Sequence, residues 1–186
     1  MHEKDLDRAL AELKRRCDDA GIPFAVIGAV AMRQHRYVRH TEDIDIVTTR
    51  EGLERIHARL VGRGVVPRAP GLRKRLRDTV NNVDIDVIQA GEHAGSSSSP
   101  VVYPEPGSAE LGLVGEDGFA YATLAALLTF KLASGIWGNR PRDLADVQEL
   151  IKVNRLDERF AGSLLPALRE PFLERVRASR IERDIE

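Results

Sequence analysis

Apolar residues recur at helical spacing from the start of the chain, with Leu6, Leu10, Leu13 and Cys17 on one stripe, and Gly21 and Pro23 close the pattern. This predicts a helix over 3–20. Phe24-Ala25-Val26-Ile27 reads as a short apolar strand running into Gly28-Ala29 and a helix from Val30 to about His35. Residues 41–47, Thr-Glu-Asp-Ile-Asp-Ile-Val, alternate as a strand, and Thr49 can cap a helix from Arg50 to Val61 with Leu53, Ile56 and Leu60 facing inward. Gly62 and Gly64 stop that helix. Residues 65–88 predict a hairpin, or a loop, leading to a second alternating strand, Asn82-Val83-Asp84-Ile85-Asp86-Val87-Ile88. The stretch 91–106, with four consecutive serines from Ser96 and three prolines, is expected to be a mobile surface loop with a short extended piece at Val101-Val102-Tyr103. From Thr123 onward the pattern becomes helical. A segment to Ser134 is apolar nearly all round, and a helix opened by Asn139 or Pro141 turns Leu144, Val147, Leu150 and Ile151 inward. Pro166 and Pro171 punctuate later helices up to a charged tail. The expected class is α+β (α/β-like), a small mixed sheet packed with helices over 1–120, followed by a C-terminal helical portion over 121–186.

The acids inside the two strands change this picture. Side chains two apart on a strand share a face, so Asp43 projects with Asp45 and Asp84 with Asp86, while Ile44, Ile46, Ile85 and Val87 point the other way. Either run alone reads as solvated acids near a strand end. Side by side, two such faces repel, and hard oxygen ligands of this kind suit a divalent cation such as Mg²⁺. The strand-Gly-helix junction at Gly28-Ala29 has the form of a phosphate seat, because glycine lets an anion approach main-chain N–H groups. In the helix 123–134, Lys131 is the only charge, so it must snorkel, meet an anion or serve a ligand. Asp143 falls inside the apolar arc of the next helix. We therefore expect Lys131 and Asp143 to pair or to border a triphosphate pocket together, with Asp146 one turn on.

Composition narrows the function without choosing it. The 186 residues carry 28 Lys and Arg against 29 Asp and Glu, a formal net charge of −1 that gives no overall nucleic-acid signal. One dense basic run, Arg68 to Arg77, could steer a phosphate-rich substrate, although it lacks aromatic residues for base stacking. Arg39, just ahead of the first acidic pair, is better placed for phosphate, and Thr41 stands beside it. A single cysteine excludes a disulfide framework and Cys-rich zinc sites. No His-based metal helix or Ser-His-Asp set can be read from the five histidines. The charged N-terminus and the lack of a long apolar run point to a cytoplasmic protein without a membrane segment.

Gly28-Ala29, Asp43-x-Asp45 and Asp86 together resemble the pattern of the polymerase-β-like nucleotidyltransferases. The runs "RHTEDIDIV", "VDIDVIQAGEH" and "LTFKLASGIWGNRPRDLADVQELIK" resemble, more closely, the bacterial AbiEii/AbiGii toxin-type group, and together they cover most of residues 24–152. Ala29 stands where that pattern has a second Gly or Ser. The resemblance implies the nucleotidyltransferase fold and transfer of an NMP from an NTP to an acceptor hydroxyl, on tRNA or protein, with a place in toxin–antitoxin pairs. It implies one or two Mg²⁺ ions on Asp43, Asp45 and Asp86, and its register favours Asp86 over Asp84 as the third acid and as the base. By match to its motifs, Lys131, Arg142, Asp143 and Asp146 join Gly28, Ala29, Arg39 and Thr41 as nucleotide-binding candidates. The competing expectation is a non-catalytic nucleotide-binding or regulatory protein that keeps the fold.

Overall fold

The computed structural model describes residues 3–183, and the end of the charged tail lies outside them. The predicted stripe is buried along the first helix, α1 (Glu3–Ala20), with Cys17 fully enclosed and burial pushing its thiol up to about 12. The chain then enters β1 (Phe24–Ile27) and α2 (Gly28–Met32), which tightens into a 3₁₀ turn over Arg33–His35. This helix thus starts two residues earlier than the pattern predicts. The His35 ring donates to the Ala122 carbonyl at 2.8 Å, and the Asn154 amide donates to the His35 carbonyl at 2.9 Å. These bonds fasten the turn that feeds the first acidic strand.

That strand is β2 (Asp43–Thr48), followed by α3 (Arg50–Arg59), whose first turn is capped as predicted by Thr49 Oγ1 accepting from Gly52 N at 2.8 Å. Next come β3 (Val65–Pro67), β4 (Arg75–Asp78) and β5 (Val83–Gln89), then the two short strands β6 (Leu113–Val114) and β7 (Ala120–Tyr121). They form one mixed sheet in the order β3-β4-β5-β2-β1-β7-β6. The central pair β2 and β5 is parallel and aligns Asp43 with Asp84 and Asp45 with Asp86, while β1 runs antiparallel to β2 and sets Ile27 opposite Asp45. Ile44, Ile46, Ile85 and Val87 are buried, and α1 packs on β2 and β5 and α3 on β5.

The helical portion comprises α4 (Leu124–Trp137), α5 (Pro141–Asn154) and α6 (Pro166–Arg183), packed against one another. Thr123 caps α4 and Pro141 opens α5. Val147, Leu150 and Ile151 are fully buried, and Leu144 covers Gly135 of α4 so closely that a Cβ there would lie 2.4 Å from it. Two expectations need correction. Pro171 lies within α6 and does not separate two helices. The stretch 91–106 is tied down along its length, with Tyr103 N donating to Glu92 O at 2.9 Å, Ala94 N to Val101 O at 2.9 Å, and Ala94 and Val101 both buried. Its Ser and Pro content reflects tight turns, and apolar anchors at either side fold it onto the C-terminal end of α4. Among the described residues, no helix is long and apolar enough to cross a membrane.

Candidate active site

Carboxylate oxygens of Asp43, Asp45 and Asp86 lie within 4.8 Å of one another on the open face of the central strands. The register explains the meeting of Asp45 and Asp86, which are direct neighbours across the parallel pair. Asp84 has the same parity but a different fate. Arg77 Nε donates to its Oδ1 at 2.7 Å and the Arg68 guanidinium sits 3.0 Å from its Oδ2. Two arginines thus take up Asp84, whereas Asp86 Oδ1 is buried without a hydrogen-bond partner. Thr41 Oγ1 donates to Asp43 Oδ1 at 2.5 Å and fixes that carboxylate.

Burial, reinforced by the charges of Asp43 and Asp86, pushes Asp45 up to about 7, against the opposing pull of Lys131 and Arg140. Asp86 is raised as well, first by burial. Three crowded carboxylates, one with an orphaned buried oxygen and one that resists ionisation, form a donor set of hard oxygens that a divalent cation would satisfy. Gly28 closes the back of this cluster. At φ +63°, a Cβ on it would lie 1.9 Å from Asp45 Oδ2, so both its conformation and its neighbour require glycine. Gly28→Ala is expected to lower stability by about 1–3 kcal/mol in a denaturant titration and to weaken divalent-ion binding by pushing Asp45 aside. Ala29 turns its side chain into the core, which leaves only its main chain available for contact with a ligand.

These groups border a cleft of about 830 Å³. Of the residues the sequence singled out, Gly28, Ala29, Arg39, Thr41, Lys131, Arg142 and Asp143 share it with the three acids, and Asp146 does not line it. Asp146 is buried behind the wall, where Lys131 Nζ donates to it at 2.6 Å and the Arg39 guanidinium lies 2.9 Å away as an ion pair without a hydrogen bond. Lys131 Nζ also donates to Asp143 Oδ1 at 2.9 Å. Burial, the largest single influence, would raise Asp143, but Lys131 together with Ser134 and Arg140 outweighs it and holds the carboxyl below its usual range. The predicted partnership of Lys131 with Asp143 is therefore an ion pair at the cleft wall, extended by Asp146 and Arg39.

Several cleft residues escaped the sequence reading. Arg140 comes just ahead of α5 and lies 3.3 Å from Asp143. Arg75 aligns with Asp86 across β4 and β5, and among the described residues neither it nor Arg142 has an ion-pair partner. The basic run was visible, but which of its members faces the acids depends on a strand register that sequence pattern does not fix. The rest of the run is neutralised: Arg68 and Arg77 by Asp84, Arg73 by Glu54, and Lys74 by Glu92. Tyr103 also lines the cleft.

No protein-family model matches the sequence, and no curated protein sequence matches it. Solved structures do share its fold. The solution structure of the antibiotic-resistance factor ANT(2'')-Ia superposes with a TM-score of 0.57 over 98% of this chain and 97% of that one, at 12% identity. The crystal structure of ANT(2'')-Ia in complex with adenylyl-2''-tobramycin gives 0.53 over 92% and 96%, at 15% identity. At such identities the likeness is one of architecture: the chain has the mixed α+β nucleotidyltransferase fold that the resemblance of its motifs implied.

Proposed function

We propose that this protein is a metal-dependent nucleotidyltransferase that moves an NMP from an NTP to an acceptor hydroxyl. The observation that carries the reading is the convergence of Asp43, Asp45 and Asp86 beside Gly28 in a cleft edged with cations. A divalent ion held by the three acids would supply Lewis-acid charge for the NTP phosphates and lower the pKa of the acceptor hydroxyl. The chain's own residues would do the remainder. Gly28 leaves room for the Asp45 carboxylate against the main chain of the strand–helix junction, and Arg142 and Arg75, which have no ion-pair partner among the described residues, would add positive charge around the cleft. Asp86 is the candidate base: it lines the cleft and burial raises its carboxyl, which would favour its taking the acceptor proton as the new O–P bond forms and pyrophosphate leaves. Lys131 would be a weak phosphate ligand in this arrangement, since two carboxylates already share its charge.

An acceptor on tRNA or protein, and a place in a toxin–antitoxin pair, come with the toxin-type motifs of the sequence and are part of the proposal on that ground. The deciding experiment mixes the purified chain with Mg²⁺ and each α-labelled NTP over total RNA and cell protein. Label is expected in one macromolecular pool with at least one NTP and is expected to vanish with EDTA. Nucleotide binding without any labelled product would place the chain with non-catalytic nucleotide-binding proteins.

A further inference from the structure

Along the cleft face, the strands change character. Asp84, Asp86 and Ile88 share one parity on β5, so the carboxylates give way to an apolar side chain toward the strand's end. There the wall is completed by Tyr103, Leu127 and Phe130, in a cleft otherwise dominated by charge. Tyr103 is delivered by the hydrogen-bonded stretch 91–103, with Gly91 N donating to the Tyr103 carbonyl at 2.8 Å. Its ring packs on Phe130 with centroids 4.7 Å apart and planes tilted by 43°. Phe130 is only 6% exposed, whereas Tyr103 is partly open. Gly95, in the same stretch, is pressed against the end of α4 so tightly that a Cβ would lie 2.8 Å from both Ala133 O and Gly138 N. A rigidly mounted aromatic ring stands with Ile88 and Leu127 on the apolar side of a cleft edged elsewhere by charged groups.

We infer that Tyr103, backed by Phe130, is the platform on which the base of the bound nucleoside triphosphate stacks. The inference rests on the nucleotidyltransferase reading and adds to it a place for the donor's planar ring. Phosphates have no use for an aromatic surface, while any nucleobase has a flat face that gains from one. With Leu127 and Ile88 beside it, the wall offers contact area in place of a donor-acceptor pattern, so the ring is held by its face and several bases are accommodated.

The test compares each of the four NTPs with inorganic tripolyphosphate, both with Mg²⁺, by calorimetric titration of wild type, Tyr103→Ala and Tyr103→Phe. Wild type should bind its best NTP between about five and a hundred and fifty times more tightly than tripolyphosphate, the range that one base on one aromatic ring provides. Tyr103→Ala should lose most of that margin with tripolyphosphate affinity unchanged, which also shows that the variant is folded, and Tyr103→Phe should keep it. A wild type that gains nothing from the base, or a Tyr103→Ala variant that retains the margin, overturns the stacking platform and leaves the transferase reading standing. Failure of wild type to bind either probe overturns both.

Discussion

Asp45→Asn should abolish nucleotidyl transfer, by about three orders of magnitude or more, and yet yield a more stable protein when no divalent ion is present. The loss follows from removing one of three carboxylates that would hold the ion, an interaction worth several kcal/mol at a transition state. The gain follows from linkage. Asp45 is pushed up to about 7 by burial and by Asp43 and Asp86, so the folded protein holds a proton that the unfolded chain releases near pH 4. Its contribution is fully present below that lower value and is lost as the pH rises through about 7. Asp86, also raised, acts in the same direction. Metal-free wild type should therefore weaken between pH 4 and 8, and Asp45→Asn should flatten the profile and exceed wild type at pH 8 by roughly 1–3 kcal/mol, reduced from the full shift because Asp45 is only half-buried. Denaturant midpoints across pH, with and without Mg²⁺, measure both effects. An asparagine variant less stable than wild type at pH 8 would show that these carboxylates are not mutually repelling.

Lys131→Met is expected to cost about 2–4 kcal/mol of stability at neutral pH. Methionine matches the stem of lysine among Leu127, Phe130 and the other apolar residues of α4, so packing is nearly conserved. What disappears is the cation that Asp143 and Asp146 share at 2.9 and 2.6 Å, and two buried carboxylates are left to Arg140 and Arg39 alone. Asp143, held below its usual range by Lys131, contributes stability at neutral pH that is lost as the pH falls through its folded value. Acid should therefore shrink the difference between variant and wild type. Adding Asp143→Asn to Lys131→Met should recover a substantial part of the loss, and a double variant no better than the single one would refute the charge argument.

Much of the frame was readable because it is local. The α1 stripe, the Thr49 and Thr123 caps, Pro141 at the start of α5 and the alternation in β2 and β5 all express short-range periodicity or capping chemistry. The pairing of Lys131 with Asp143 was one of the outcomes the sequence left open, beside snorkelling and service to a ligand, and the packing of α5 on α4 selects it. What stayed hidden depends on residues far apart in sequence. Asp84 and Asp86 are equivalent by parity, and only the resemblance favoured Asp86; the fold separates them because Arg77 and Arg68 close on Asp84, while Arg75 opposite Asp86 forms no ion pair with it and leaves it beside Asp43 and Asp45. Arg75 and Tyr103 became cleft residues through strand register and through a stretch whose composition reads as loose. The two-residue strands β6 and β7 are too short to produce any alternation.

The outer members of the sheet have a consequence for how other chains can approach. β3 is three residues long and ends on a proline that has no N–H to offer, and β6 has two residues. Neither rim presents a ladder long enough for a foreign strand to extend, so the molecule is guarded against edge-to-edge aggregation. If the acceptor is a macromolecule, as proposed, these short rims favour its recognition through side chains at the cleft mouth over β-augmentation.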